Sequence, residues 1–285
     1  MKVKEHRIIS ASRRTDLIAH FPDWLVNSLK NRKAIVIGPY KYSYVVDLNP
    51  SNTHTIVLWS KNFKNLIENR HNLLDLLKEY AQLYFLFTIT GLGGTRIEPG
   101  VIPLCEALAQ IDRLVEISQL PERISIRFDP IIYWREDGGV KSNLTYFEKI
   151  ISEISKFGIK DIRLSFVQYY PKCIKRAKKL NLDYVDPPEE EKLKDIYEIE
   201  ETVYKYNINI FSCSQPFLEK ISFIKKSSCI DGNFLSKIHP EKKQAITKKD
   251  PSQRKECGCT VSIDIGSYTQ PCPNACIYCY ANPRI

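Results

Sequence analysis

Short apolar runs, each followed by a helical pattern, constrain this chain more than any other feature. The runs are "RIIS" (7–10), "HTIVLWSKN" (54–62), "LYFLFTITG" (83–91), "ISIRFDPII" (124–132), "DIRLSFVQ" (161–168) and "NINIFSCSQ" (207–215). Between them, apolar residues recur at near-helical spacing. Leu66, Ile67, Leu73, Leu74 and Leu77 do so within 63–80, and Leu104, Ala107, Leu108, Ile111, Leu114 and Val115 in the next interval. Phe147, Ile150, Ile151 and Ile154 mark a third helix, with Gly158 as its C-terminal stop. "AIVIGP" and "YSYVVDL" read as a strand pair, a hairpin candidate. Strands this uniformly apolar belong in a parallel sheet covered by helices on its faces. The expected fold class is α/β: a (β/α) barrel, complete or partial, with a doubly wound open sheet as the alternative.

In either architecture functional groups gather just beyond the C-terminal ends of the strands. Those ends are polar here. They carry Ser12, Arg13, Arg14 and Asp16; Ser60, Lys61 and Asn62; Thr88 and Thr90; Arg127 and Asp129; Ser165 and Gln168; Ser212 and Ser214. Six such ends on one rim predict a lined pocket. Periodicity fades after Phe217, and "HPEKKQAITKKDPSQRKE" is charged and contains two prolines. The expected organisation is a barrel body over 1–216, an irregular basic excursion or linker over 217–256, and a strand with a cysteine loop over 257–285 that completes the same domain.

Nothing in the sequence resembles a membrane span, which needs about eighteen consecutive apolar residues. "MKVKEHRIIS" lacks the apolar core and cleavage site of a signal peptide, so the expected location is the cytoplasm. There, clustered thiols are more often metal ligands or catalysts than disulfides. With 42 Lys and Arg against 33 Asp and Glu, the formal charge is +9, which suits a phosphate-bearing partner or simply a solvated basic surface.

Nine cysteines are present, and three of them fall in "CPNACIYCYAN" as Cys272, Cys276 and Cys279. A C-x3-C-x2-C loop can wrap one metal centre, and soft thiolates suit iron–sulfur clusters. Three ligands on a four-iron cluster leave one iron open to a substrate or cofactor. A structural zinc site would want a fourth ligand and usually paired C-x2-C spacing. Cys213, Cys229, Cys257 and Cys259 lie upstream. They are candidates for a second iron–sulfur cluster, for a zinc site, for one ligand that closes the first site, or for plain unligated thiols. Cys105 and Cys173 fall in helical segments and read as ordinary small buried residues.

The loop resembles the cluster motif of radical S-adenosylmethionine enzymes, C-x3-C-x-aromatic-C, with Tyr278 as the aromatic. The spore photoproduct lyase-like branch is the most similar, since its motif often ends in "YCYA". "TIVLWSKN", the Glu98–Pro99–Gly100 turn and "ISIRFDPII" are similar to further strands and turns of that branch. The whole chain also resembles the family described as domain of unknown function 1848, which begins "IISASRRTD" and ends in the same cysteine pattern. The order of parts differs from the superfamily, where the cluster loop follows the first strand. A circular permutation accounts for this, with "TVSIDIGSY" as the displaced first strand. The Gly-Gly-Glu motif that cradles the methionine amino group in many relatives has no clear counterpart.

The resemblance implies a [4Fe–4S] cluster on Cys272, Cys276 and Cys279, S-adenosylmethionine at its open iron, and a 5′-deoxyadenosyl radical that takes hydrogen from a substrate. It implies an electron donor such as flavodoxin or ferredoxin, and it places Lys61, Thr88 and Tyr278 near the cofactor. Arg13, Arg14 and Arg127 are candidates to hold a methionine carboxylate or a substrate phosphate, with Asp16 and Asp129 to orient them. The simpler reading of Arg127 and Asp129 is mutual pairing inside the fold. The substrate class is open: a small molecule or something that contains a nucleotide. A different class also fits the residues, a zinc- or cluster-stabilised nucleic-acid-binding protein that performs no radical chemistry.

Overall fold

β-Branched and aromatic residues pair into strands wherever the apolar runs occur. The computed structural model describes residues 6–38, 42–281 and 283–285. Its strands are β1 (Arg7–Ala11), β2 (Lys33–Ile37), β3 (Ser43–Asp47), β4 (Thr53–Ser60), β5 (Leu83–Thr88), β6 (Ile124–Ile131) and β7 (Tyr133–Glu136). They continue with β8 (Gly139–Ser142), β9 (Asp161–Phe166), β10 (Asp183–Val185), β11 (Asn209–Ser212), β12 (Ile224–Lys226) and β13 (Ile263–Asp264). Eight of them form one sheet in the order β12-β11-β9-β6-β5-β4-β1-β13, and every pairing in it is parallel. The fold is therefore mixed α/β, built on a large parallel sheet, as the alternating pattern predicts. β12 and β13 form the two edges of that sheet.

The period of two along each strand sorts side chains to opposite faces. Ile9, Ile56, Leu58, Phe85, Phe87 and Ile126 join the main core with the helices. Ile8, Val57, Trp59, Tyr84 and Leu86 project the other way and pack with Cys229, Ile230 and Leu235, from the segment beyond β12. The same second face carries polar groups on later strands, among them Ser125 and Arg163, both buried. Fully burying a side chain of the size of Phe85 contributes about 2–3 kcal/mol. The helix-covered face holds the larger apolar core, while the opposite face combines a smaller apolar cluster with buried polar groups.

Several local expectations change. The helical pattern over 63–80 is broken by left-handed residues at Asn69 (φ 50°), His71 (φ 55°) and Asn72 (φ 65°), leaving short helices at Lys64–Ile67 and Leu73–Leu77. Asn tolerates this conformation, and the Asn69 side chain accepts a bond from the Leu74 amide at 2.9 Å. The stretch over 104–115 likewise divides into Leu104–Leu108 and Ile111–Ser118. A three-stranded antiparallel sheet, β10-β7-β8, stands beside the main one. Its hairpin turns at Asp137 (φ 52°) and Gly138 (φ 77°), the Asp-Gly pair that a two-residue turn demands. β2 and β3 form the expected antiparallel hairpin; the residues at 39–41 lie outside those described.

"TVSIDIGSY" contributes β13, which pairs in parallel with β1 through Ile9 with Ile263 and Ser10 with Asp264. Asp264 ties the two chain ends together: it accepts from the hydroxyls of Ser10 (2.9 Å) and Ser12 (2.8 Å) and from the Arg13 amide (2.7 Å). The 217–256 stretch contains β12 and a helix, Gly232–Lys237, capped by the Asp231 carboxylate on the Asn233 and Phe234 amides.

Candidate functional site

The strand ends open into a cavity of about 870 Å³. The cysteine triplet Cys272, Cys276 and Cys279 lines it, and so does the upstream quartet Cys213, Cys229, Cys257 and Cys259. Arg13, Arg14, Asp16, Lys61 and Thr88 line it too, together with Arg127, Asp129 and Tyr278. Every residue singled out from the sequence as a site candidate therefore borders one space. Of the polar strand ends, Asn62, Thr90 and Ser212 stand back from it. Asn62 accepts a bond from Gln110 at 2.9 Å, and the Ser212 hydroxyl is spent on the Gln215 carbonyl at 2.9 Å.

The triplet loop is held by its backbone. Arg176, on the helix Pro171–Lys179, donates to the carbonyls of Ile277 (2.7 Å) and Cys279 (2.9 Å). Buried Cys173, on the same helix, donates to the Cys279 carbonyl at 3.4 Å, so it supports the loop instead of only filling space. The Ile277 amide donates to the Ile97 carbonyl, and the Gly100 amide to that of Asn274. Gly100 is needed for its size: a Cβ there would lie 2.0 Å from the Pro273 carbonyl oxygen. The Asn274 side chain bonds Asp16 (3.1 Å) and His20 (2.7 Å).

Asp16 is more a joint than a free acid. It caps the helix Leu17–His20 at the Ala19 amide, and it accepts from the Ser60 hydroxyl and the Lys61 amide, both at 2.8 Å. Its bonds fix β1, β4 and the cysteine loop relative to one another. Arg14 is also largely committed, donating to the Gly266 carbonyl at 2.9 Å and lying over the Tyr268 ring.

Beneath the triplet sits Glu98, fully buried, which the sequence marks only as part of a turn. One of its oxygens accepts from Lys61 Nζ (2.9 Å), from the Thr90 hydroxyl (2.8 Å) and from the Tyr278 hydroxyl. The other, Oε2, is buried with no partner among the described residues. Burial works against the Lys61 ammonium, but Glu98 and then Cys276 outweigh it and raise its pKa. Burial, followed by Cys276 and Glu98, pushes the Tyr278 hydroxyl up, so it remains a proton donor. The triplet thiols are suppressed as well. Burial takes Cys272 up to about 11, with Asp16 adding to it, and Cys276 and Cys279 are raised for the same leading reason.

The quartet comes together from both edges of the sheet. Cys213 follows β11, Cys229 follows β12, and Cys257 and Cys259 precede β13. The Sγ atoms of Cys213 and Cys229 are 3.8 Å apart. Cys259 belongs to the same cluster, close to both Cys229 and Cys257. The neighbouring thiols of Cys213 and then Cys259 lower the pKa of Cys229, and the Cys259 thiol brings Cys257 down to about 6. Arg127 pairs with Asp129, and both Arg127 and Arg13 lie over the ring of Trp59, at 4.9 and 5.3 Å. Trp59 was legible only as a strand residue.

No three His, Cys, Asp or Glu side chains among the described residues already surround a single ion position. Whether the triplet suits a cluster is decided by its donor set: three thiols on one pinned loop, facing one cavity, with an unpartnered carboxylate oxygen behind them. That set fits a thiolate-held centre.

Fold and site define an α/β protein whose parallel sheet presents thiols, arginines and a buried lysine–glutamate pair to one cavity. The family model described as "Domain of unknown function (DUF1848)" matches residues 8–281, and the chain belongs to that family. A search of curated proteins found no match.

Proposed function

We propose that this protein is an iron–sulfur enzyme of the radical S-adenosylmethionine type, with a [4Fe–4S] cluster held by Cys272, Cys276 and Cys279. The observation that carries this reading is the C-x3-C-x2-C loop, pinned at its backbone by Arg176 and Gly100 with all three thiols on the cavity. When bound, such a cluster supplies the electron that cleaves S-adenosylmethionine, giving a radical able to take hydrogen from a substrate. The chain's own residues bind and orient. Lys61 keeps a positive charge beside Cys276, Tyr278 directs its hydroxyl to Glu98, and Thr88 borders the space between them. A cavity of about 870 Å³ has room for S-adenosylmethionine and part of a second molecule. The reading includes a sheet rolled towards a barrel. In its favour, the Thr260 amide, before β13, donates to the Ile230 carbonyl, beyond β12, at 2.9 Å, linking the segments next to the two edges.

The test is iron and sulfide content with electron paramagnetic resonance on protein purified without oxygen. About four irons per chain are expected, with a reduced-state signal that S-adenosylmethionine perturbs and Cys276→Ala abolishes. Zinc in place of iron on the triplet would overturn the reading.

A further inference from the structure

The quartet of cysteines is surrounded by positive charge that the rest of the site does not use. Arg127 and Arg163 lie within charge range of Cys229, and Arg13 within range of Cys257 and Cys259. Among the described residues, neither Arg13 nor Arg163 has a carboxylate ion pair, and Arg127 shares Asp129. Each of the three also keeps a buried N–H without a partner: Arg13 Nη2, Arg127 Nε and Arg163 Nε. Arg163 is 4 % exposed. Arg163 is buried and Arg13 and Arg127 are half-buried; holding these cations beside four neutral thiols is costly, whereas thiolates would offset their charge.

The backbone around the quartet is built for close approach. A Cβ at Gly258, between Cys257 and Cys259, would lie 2.6 Å from the Ser227 carbonyl oxygen. The Ser228 hydroxyl donates to the Gly258 carbonyl at 2.8 Å. The Ile230 amide donates to the Cys259 sulfur at 3.4 Å, an N–H···S bond of the kind that steadies a thiolate ligand. Cys213 directly follows β11, and Cys229 lies three residues beyond β12, the parallel neighbour of β11.

The spacing of their sulfurs selects the kind of centre. Four thiolates about 2.3 Å from one zinc ion stand about 3.8 Å apart along each tetrahedral edge. The Cys213 and Cys229 sulfurs are 3.8 Å apart already. In a four-iron cluster each thiolate binds a different iron, and the sulfurs are spread wider. We propose that Cys213, Cys229, Cys257 and Cys259 form a second, separate metal centre: a closed mononuclear site that binds one zinc ion through four thiolates. Such a centre carries a net double negative charge, which the three arginines neutralise. Arg13 and Arg127 then serve this centre instead of a substrate anion. No three of these thiols yet surround one ion position, so ion binding needs rotation of the Cys257 and Cys259 side chains to close it. Because Cys229 and Cys259 flank the two sheet edges, the ion would also clasp those edges together.

The proposal does not depend on radical chemistry, and its test keeps the two apart. Full-length protein carrying Cys272→Ala, Cys276→Ala and Cys279→Ala, with the quartet intact, is purified with zinc under reducing conditions. Elemental analysis should find about one zinc per chain. Cobalt exchanged for it should show the visible bands of tetrahedral cobalt thiolate, and adding Cys229→Ser should weaken zinc binding at least tenfold in a chelator competition. If that variant fails to fold, half-buried Cys257→Ser replaces it, and zinc is counted beside iron in the unsubstituted protein. Zinc-free protein in which all four quartet thiols are alkylatable, a Cys213–Cys229 disulfide in its place, or iron with sulfide on the quartet would each overturn the proposal.

Discussion

Lys61→Met isolates the buried charge pair beneath the cysteine triplet. The Lys61 side chain is 12 % exposed and that of Glu98 is 0 % exposed, and their contact is 2.9 Å. Methionine preserves the apolar stem and removes the ammonium, which leaves the Glu98 carboxylate buried with hydroxyl donors only, from Thr90 and Tyr278. Removing one partner of a buried pair costs about 3–5 kcal/mol, largely through the charge left behind. Unfolding entropy of about 2.1 cal/mol/K per residue over 285 residues converts that to a Tm lower by about 5–8 °C. Adding Glu98→Gln should recover at least half of the loss. The amide oxygen still accepts from the two hydroxyls, and no buried charge remains. The assay is urea and thermal unfolding of metal-free, reduced protein for the wild type, both single variants and the double, with the coupling taken from the cycle. A coupling below about 0.5 kcal/mol, with Lys61→Met costing under about 1 kcal/mol, would refute the view that these groups form a mutually dependent buried pair.

Gly100→Ala should lower stability by about 1–3 kcal/mol, because its methyl would meet the Pro273 carbonyl at 2.0 Å; an unchanged melting curve would show that the loop is not held there. A second effect is acid sensitivity from His54. Burial first, and His239 with its ring 4.3 Å away, take His54 from 6.5 to about 4, against the opposing bond to the Lys243 carbonyl. The unfolded chain takes up this proton more readily than the folded one, so the stability contribution is complete above about pH 6.5 and is lost as pH falls towards 4, by up to about 3 kcal/mol. Urea midpoints measured across that range should fall more steeply for wild type than for His54→Phe; parallel curves would assign the acid sensitivity elsewhere.

The sheet was readable in advance because its strands are apolar on both faces and separated by helical spacing, which few other architectures accommodate. β13 was readable for a similar reason, as an apolar run next to the cysteines. What escaped was local backbone chemistry and distance. The left-handed residues at Asn69, His71 and Asn72 interrupt a helix without interrupting its apolar pattern. The Asp137–Gly138 turn did carry a hairpin signal, overlooked because the preceding strand already ended at a plausible place. Glu98 looked like a turn residue, since nothing in its neighbours' identities announces that Lys61 and Tyr278 meet on it. Asp264, Arg163 and Arg176 were missed likewise: each acts on a partner more than sixty residues away in the chain. For the quartet, a shared site was already one of the readings open from the sequence, and all four border one cavity.

The pairing of β13 with β1 has a consequence for how the molecule is made. Ser10 meets Asp264 at a separation of 254 positions, so this edge of β1 stays bare while the residues between them leave the ribosome. An unpaired strand edge is a template for any other strand that arrives first, and a contact this distant along the chain is slow to close. Every strand from β2 to β12 is therefore made before this edge of β1 is covered, and the segment that covers it also delivers the cysteine loop. The cavity is closed only when this segment arrives, after the electropositive rim that receives its thiols has been made.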